Sequence, residues 1–432
     1  MKNIYFSVLL LLCPMPYAPC PLAAEPFDVQ SVFDLTESEW NEFVSIPEPI
    51  HFPREPLHFP REPLLRLLNR MGQRHVESLL RDQSVDDPNR VASLKQGEAV
   101  HFSQNVEVES VQRIDFTPFR NLPEFDHFYI SRVKIANQFD AVCVSLQVPR
   151  FDPPERSGFL GILLAPGKTP VFAASRLEWF PQTLLGNYGM DVALLDAVAP
   201  IPPTGITREN RHNFKLTEAD QEPFYRLLTT VTKIPGQEID RNIPPEKFSV
   251  VELFNRPQFQ QGRLIRLVGY ARRIERVNID DPEITARFGI DHYYQIALFT
   301  EDSQGNPLFF CIPKIPAGLP LGEEEGFPVP LSISGFFYKT WAYRKMGSGN
   351  PAEEEKKSLT QLAPLLVGAK IDWFRPQEKP SGPSHSLAPL YSSSLAFFVL
   401  VFLWFLLRRF RNRSQSVRFQ LKSVSEDEKN NR

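Results

Sequence analysis

Apolar and polar residues alternate in several stretches of the chain, and five such stretches follow one another between residues 264 and 374. They are rich in branched and aromatic residues, so the pattern predicts strands. The predicted strands are Leu264–Ala271, Tyr293–Thr300, Pro307–Ile315, Val329–Tyr343 and Leu362–Phe374. Gly335, in the middle of the fourth strand, predicts a bend or a bulge there.

The same landmarks recur in the same order in both halves of the chain, which indicates a duplication. The first four pairs are EPLLRLL from Glu62 with EPFYRLL from Glu222, Gln96-Gly97 with Gln261-Gly262, Ile114-Asp115 with Ile279-Asp280, and DHFY from Asp126 with DHYY from Asp291. The later pairs are Cys143 with Cys311, Ser157-Gly158-Phe159 with Ser334-Gly335-Phe336, and PVFAASRLEWF from Pro170 with PLLVGAKIDWF from Pro364. The first half is therefore expected to contain the same five strands.

Three strands, a short connector and two further strands with a glycine bend follow the order of an OB-fold, a small five-stranded barrel. Apolar residues at helical spacing precede each set of strands, over Pro63–Arg81 and Thr217–Thr232, and predict a helix packed on each barrel. The sequence thus predicts a mainly β fold with short helices, built as two tandem OB-like five-stranded barrels, plus one C-terminal transmembrane helix.

These features divide the chain into eight parts. They are a signal peptide (1–24), a Pro-rich N-terminal segment (25–61), a first helix-plus-barrel repeat (62–182), a linker (183–215), a second repeat (216–376), a stalk (377–387), a transmembrane helix (388–407) and a basic cytoplasmic tail (408–432).

The two ends of the chain predict its location. Lys2, a short apolar run from Val8 to Leu12 and small residues up to Ala24 follow the layout of a secretory signal. Residues 388–407 are twenty positions without a charge, which is enough to span a bilayer, and four arginines follow within six residues. Because such arginines stay on the cytoplasmic side, the sequence predicts a single-pass protein of the cytoplasmic membrane, with its N-terminus outside.

The charge of the predicted extracytoplasmic part limits its partners. The tail carries eight basic and three acidic residues, and residues 25–407 carry 39 basic and 48 acidic residues. A net acidic ectodomain disfavours DNA and RNA, because their phosphates require positive potential. The expected partners are therefore the membrane and an envelope protein or polysaccharide.

Three strings in the second half carry a resemblance. SGFFYKTWAY from Ser334, YYQIALFTEDSQGNP from Tyr293 and the closing APLL…IDWF are similar to those of a family of planctomycete membrane proteins with an OB-like β-barrel repeat, mainly over residues 258–374. The resemblance implies the barrel fold and membrane attachment, and it implies no activity or catalytic residues. The first copy lacks the aromatic run.

One strand of the second copy combines aromatic and basic residues. A face of this kind in an OB-fold can bind an oligosaccharide or a nucleic acid, although the favoured interpretation is that the aromatics pack the barrel and the arginines are solvated. The candidate binding residues are Arg272, Arg273, Tyr338, Lys339, Trp341 and Tyr343. A further hypothesis is that Glu98 and Glu107 of the first copy attract Arg263 and Arg272 of the second and dock the barrels together.

Candidates for catalysis are few. His127 and His292 each follow an aspartate, and such a pair can orient an imidazole as a general base, although the favoured interpretation is a loop-to-strand junction where Asp and His satisfy backbone groups. The chain has no GxSxG or HExxH motif and no Cys/His cluster with metal spacing, so no metal or cofactor is predicted. Cys143 and Cys311 are interpreted as small buried residues rather than a disulfide.

The leading prediction is a membrane-anchored, non-enzymatic binding or scaffolding protein of the cell envelope. An envelope hydrolase that uses Asp291 and His292 is one alternative. A subunit of a membrane protein complex is the other.

Overall fold

The computed structural model describes residues 29–44, 59–198, 216–323, 327–344 and 360–374, all within one compact unit that ends at Phe374. In the part of the chain so described, no helix combines the length and the apolar character that a membrane crossing needs. The predicted signal (1–24), stalk (377–387), membrane span (388–407) and tail (408–432) lie outside the described residues.

The first repeat is a small helical layer followed by a barrel. Its helices are α1 (Val29–Phe33), α2 (Glu37–Val44), α3 (Arg61–Met71) and α4 (Arg74–Gln83), with a 3-10 turn at Pro88–Ser93. Its strands are β1 (Ala99–Asp115), β2 (His127–Ile135), β3 (Phe139–Gln147), β4 (Glu155–Ala165), β5 (Val171–Arg176) and the short β6 (Glu178–Trp179).

A connecting segment, residues 181–198, follows and leads into the second repeat. It holds α5 (Leu184–Asn187) and a 3-10 helix at Val192–Ala197. The second repeat contains 3-10 helices at Glu218–Asp220, Pro257–Phe259 and Glu301–Ser303, and the helices α6 (Gln221–Lys233), α7 (Gly236–Asn242), α8 (Val251–Asn255) and α9 (Pro282–Phe288). Its strands are β7 (Leu264–Asn278), β8 (His292–Phe299), β9 (Leu308–Ile312), β10 (Val329–Arg344) and β11 (Thr360–Trp373).

Both sheets close on themselves with the same strand order. The first runs β1-β2-β3-β5-β4 and returns to β1, and the second runs β7-β8-β9-β11-β10 and returns to β7. The third and fifth strands of each barrel are parallel and the other neighbours are antiparallel. Two tandem five-stranded barrels are thus confirmed, and their strand order fits an OB-fold.

Each barrel has an apolar interior and one face that is covered by a helix. Inward residues of the second barrel, such as Ile265, Leu267 and Phe310, form one buried cluster. A second cluster joins the outer side of the sheet, including Phe336 and Cys311, to α6 and the connecting segment. The helix α3 covers the corresponding face of the first barrel. The two predicted helical stretches are therefore helical, although the first is divided into α3 and α4, and the covering helices α3 and α6 lie mainly against the fifth strand of each barrel, β5 and β11.

Backbone pairing confirms that the two repeats correspond. Trp179 pairs with Ser157 in the first barrel, and Trp373 pairs with Leu331 in the second. The next residue donates its N–H across the sheet in both, from Phe180 to Arg156 O (3.0 Å) and from Phe374 to Pro330 O (3.2 Å).

The turn before each barrel also corresponds. Gly97 and Gly262 both have positive φ, at 83° and 72°, and their N–H groups donate to Leu163 O and Phe337 O, each at 2.8 Å. The matches built on Gln96-Gly97 and on the closing Trp-Phe are therefore correct.

Three other sequence matches are wrong in register. Gly335 corresponds to Gly161 rather than Gly158, because these two glycines pair with Gly368 and Ala174 at the same place in the sheet. Cys311 corresponds to Val144, because Cys143 pairs with Ser131 whereas Cys311 pairs with Gln295, one residue out of step.

The third mismatch comes from an insertion. Residues 103–105 form an irregularity in β1 where β7 has the single residue Val268. Asp115, which pairs with His127, therefore corresponds to Asn278, which pairs with His292, and not to Asp280.

Cys143 and Cys311 are free and buried, as expected from their interpretation as core residues. They lie in different clusters, Cys143 inside the first barrel and Cys311 outside the second. Burial raises the pKa of both thiols. We therefore expect neither thiol of the folded protein to react with a maleimide within an hour at pH 7.5, and both to react in 6 M guanidinium chloride, as counted by mass spectrometry. Rapid labelling of the native protein would contradict this.

Candidate functional site

The six predicted binding residues fall into three separate environments. Tyr338 and Lys339 are fully buried. The Tyr338 hydroxyl donates to Asp220 O (2.9 Å), and Lys339 Nζ donates to both carboxylate oxygens of Asp220 (2.9 and 3.0 Å). These two side chains join β10 to the start of α6, so they are positioned to stabilise the repeat rather than to contact a ligand.

The other aromatics of the strand form a small group. Trp341 stacks beside Tyr343 at 6.4 Å between ring centroids, and Phe309 meets both rings edge-on at 5.2 and 5.0 Å. The Tyr343 hydroxyl donates to Gln361 Oε1 (2.8 Å). A ligand role for this half-buried group stays a prediction.

The two arginines diverge at an irregularity of β7. Arg273 pairs with Glu275 and lies 3.8 Å from Glu323. Arg272 makes a different contact: its guanidinium lies 4.5 Å from the centre of the Phe299 ring. Of the six residues, Arg272 alone lines the large groove described below.

The ion pairs that the docking hypothesis predicted, from Glu98 and Glu107 to Arg263 and Arg272, are not formed among the described residues. The Glu98 carboxylate accepts the Lys95 N–H (2.9 Å), and Arg263 donates to Gln260 and lies 5.0 Å from the Phe248 ring. The residue that corresponds to Arg272 is Glu109, since each lies at the irregularity of the first strand.

The repeats meet through other charges. Arg74 of α4 pairs with Glu218 (2.8 Å), and Glu77 of α4 pairs with Arg287 of α9 (3.2 Å).

The two Asp-His pairs occupy equivalent places at the start of β2 and β8. The imidazole Nδ1 of His127 contacts Asp126, and that of His292 contacts Asp291. Each ring also meets a tyrosine edge-on, Tyr129 at 5.1 Å and Tyr294 at 5.4 Å. The contact with His292 lowers the pKa of Asp291. Neither pair lines the large groove, so the histidines are not aimed at a bound molecule there.

An open groove of about 1180 Å³ lies on the outside of the second barrel. Its floor is the outward side of β7, where alternation brings Arg266, Val268, Tyr270 and Arg272 to the surface. Its walls are the loop 243–249 that follows α7 and the turn 299–302 that follows β8. The groove is therefore built on the part of the barrel that α6 leaves uncovered.

Apolar side chains are exposed in the groove beside charged ones. Val268 is 61% exposed, Tyr270 55% and Phe374 50%, and Pro328 and Pro330 lie beside them. Three neighbouring apolar side chains that share one groove form a patch rather than scattered exposure, and patches of this kind mark binding surfaces.

Charges of both signs line the groove, and one group of them is paired within the protein. Asp240 of α7 pairs with Arg266 and with Lys370 (2.9 Å). These hydrogen bonds from Lys370 and Arg266 lower the pKa of Asp240. By contrast, no described carboxylate oxygen lies within 4 Å of the Arg272 guanidinium, which leaves this cation available to a ligand.

The corresponding face of the first barrel is covered. There the connecting segment contributes Gly189, Asp191 and Leu194, which lie with Phe180 around a small polar cavity of about 30 Å³. Phe180 is 2% exposed, whereas its counterpart Phe374 is 50% exposed. Arg176 and Glu178, the counterparts of Lys370 and Asp372, also line the covered face.

Glu178 in this covered face gives a pH-dependent prediction. Burial opposes its ionisation, but His101 and the charge of Arg176 outweigh burial and lower its pKa to about 2 from an ordinary 4.5. A lowered folded pKa adds stability above about pH 4.5 that is lost as the pH falls toward 2. We expect Glu178→Gln to lower the free energy of unfolding by about 2 kcal/mol at pH 7 and to flatten the decline between pH 4.5 and 2, measured by urea titration at several pH values. An equal loss at pH 2.5 and pH 7 would contradict this.

Sequence reasoning missed most of the groove. The sequence predicts that Val268 and Tyr270 lie in a strand. Which face of that strand is exposed depends on the position of the helix α6, which the sequence does not predict. Phe374 enters the sequence argument only as the end of a repeated string. The available signal was the apolar Val268 and Tyr270 at alternate positions with Arg266 and Arg272, an arrangement that leaves apolar side chains on a charged face.

The described residues offer no metal centre, since no group of three or more His, Cys, Asp or Glu side chains among them could hold an ion. No protein-family model and no curated protein matches the chain. The resemblance to planctomycete membrane proteins therefore stays a prediction that depends on the strings quoted for it.

Proposed function

We propose that this chain is a non-enzymatic binding or scaffolding protein of the cell envelope, and that it holds its ligand in the groove of the second barrel. The observation that carries the proposal is the exposed apolar floor formed by Val268, Tyr270 and Phe374. A side chain that is buried in one repeat and half exposed in the other, as Phe180 and Phe374 are, indicates a surface kept open for an external molecule.

The proposal includes attachment to the membrane. A single span at residues 388–407, with the basic tail 408–432 inside, would hold both barrels at the outer face of the cytoplasmic membrane. Protease added to intact spheroplasts is expected to digest the barrels and to spare an epitope fused to the tail. Full protection of the barrels in intact spheroplasts would contradict the proposed orientation.

Cross-linking in the native host tests the binding role. A photoreactive phenylalanine at position 270 of the full chain is expected to give a discrete adduct, which the additional change Val268→Asp abolishes because it places a charge on the apolar floor. The matched control is the same photoreactive residue at Phe259, which is 74% exposed and does not line the groove.

Two results would overturn the proposal. One is an identical adduct from positions 270 and 259. The other is hydrolysis of an envelope polymer by the purified protein that His292→Ala abolishes, which would support the alternative of an envelope hydrolase.

A further inference from the structure

We infer that the ligand of the groove is a short polypeptide segment of a partner protein, with bulky apolar side chains and one carboxylate. This inference rests on the proposed function and adds the chemical class of the ligand. The chain itself supplies the model for such a ligand, because its connecting segment, residues 181–198, lies on the equivalent face of the first barrel.

The two faces correspond residue by residue. The pairing of Trp179 with Ser157 and of Trp373 with Leu331 aligns the closing strands, and the pairing of Glu107 with Arg156 and of Tyr270 with Pro330 aligns the first strands. The surface beside Phe180 is therefore the same part of the barrel as the groove beside Phe374.

On the first barrel this surface is occupied by polypeptide. The Asp191 carboxylate of the connecting segment accepts the Trp179 N–H (2.8 Å) and pairs with Arg176. Arg156 Nη2 donates to Asn187 Oδ1 (2.8 Å), and Leu194 lies over the cavity beside Phe180. Asp191 and Asn187 thus make polar contacts on this face and Leu194 lies beside Phe180, while other apolar residues of the segment pack in the cluster that holds α6.

The groove offers the same kinds of contact to a separate chain. The exposed apolar residues of its floor, Val268, Tyr270 and Phe374, carry one side-chain hydrogen-bonding group, the Tyr270 hydroxyl, so most of this surface suits apolar side chains better than the hydroxyl groups of a glycan. Lys370, the counterpart of Arg176, already pairs with Asp240. The carboxylate of a ligand is therefore directed to Arg272, which has no carboxylate neighbour among the described residues.

The geometry also limits how the peptide binds and where it comes from. The strand β7 is paired with β10 over Leu264–Ala271 and with β8 over Tyr270–Asn278, and it turns Val268, Tyr270 and Arg272 into the groove, so the peptide is expected to dock through its side chains. A second copy of the chain cannot dock its first repeat on this groove in the way that the two repeats dock on each other. That contact uses Arg287 of α9, the helix between the first two strands of the second repeat. The first repeat has no helix between β1 and β2 in the described residues.

The test uses the purified full chain and a phage-displayed library of random 16-residue peptides. Selected peptides are expected to carry bulky apolar residues and an Asp or Glu. Tyr270→Asp is expected to weaken their binding about 30-fold and Arg272→Glu about 10-fold, because a central aromatic and a ligand-directed cation dominate such contacts. Phe259→Asp is the matched control and is expected to change the affinity less than 2-fold. Thermal unfolding of each variant shows whether it is folded.

Parallel arms use purified peptidoglycan glycan strands as a second probe and light scattering of the chain alone. Peptides that bind all variants equally, or a library that yields no binder, would overturn the inference. Tyr270-dependent binding of the glycan strands without peptide binding would overturn the inference and leave the proposed function in place. Tyr270-dependent self-association would assign the groove to a second copy instead. If no probe depends on Tyr270, the inference fails together with the proposed function.

Discussion

Lys339→Met is expected to lower the free energy of unfolding by about 3–5 kcal/mol, because it leaves the carboxylate of Asp220 buried without its cation. The side chains of Lys339 and Asp220 are only 3% and 2% exposed, and both carboxylate oxygens accept a hydrogen bond from the lysine. Asp220 also accepts from the Thr217 N–H (2.8 Å) and hydroxyl (2.9 Å), so the loss would reach the start of α6. Urea titration followed by tryptophan fluorescence measures the change.

A control and a double variant make the reason for this loss testable. Lys370→Met removes an ion pair that is partly open to solvent, with Asp240, and is expected to cost at most about 1 kcal/mol. Adding Asp220→Asn to Lys339→Met is expected to restore at least half of the loss, because the unpaired charge is then gone. A double variant that is no more stable than Lys339→Met would show that shape, and not charge, determines the loss.

Gly161→Ala is expected to destabilise the protein by at least about 3 kcal/mol. A Cβ at this position would lie 2.2 Å from the carbonyl oxygen of Ala173, which is backbone in the neighbouring strand and cannot rotate away. The equivalent glycine of the second barrel, Gly335, is expected to behave alike, because its Cβ would lie 2.5 Å from the Val367 carbonyl oxygen. Thermal and urea unfolding of both variants measure the effect.

The matched control for the glycines is Gly236→Ala. Its added methyl group would meet only the Lys370 side chain at 3.7 Å, an ordinary contact, so a change within about 0.5 kcal/mol is expected. A loss at Gly236 equal to that at Gly161 would contradict the steric explanation, and so would a stable Gly161 variant.

The fold was predictable because its signals are local. Five alternating stretches give five strands, and the string from Pro170 to Phe180 aligns with the string from Pro364 to Phe374 without a gap, which the strand pairing confirms. The register elsewhere was not predictable, because the extra residues at 103–105 change the offset between the copies inside a strand. The identical dipeptides Ile114-Asp115 and Ile279-Asp280 then match in sequence, although Asp115 corresponds in the sheet to Asn278, two residues before Asp280.

The candidate site was predictable only in part. The aromatic and basic character of Tyr338 and Lys339 suggested an exposed ligand face, but a lysine that finds a buried carboxylate 119 positions away cannot be recognised from its neighbours in sequence. Arg272 was selected and does line the groove, whereas Tyr270 and Phe374 were not, because their exposure depends on which face α6 covers. Tertiary packing thus decided which members of an aromatic-basic set meet solvent.

The connecting segment has a consequence for how such a chain could evolve. Residues 181–198 contact both repeats, since Asp191 pairs with Arg176 of the first barrel and Leu195 packs in the cluster that holds α6. A third repeat appended after Phe374 by another duplication would bring its own copy of this segment onto Val268 and Tyr270. Lengthening the array would then cover the open face of the present second repeat and move that face to the newest unit.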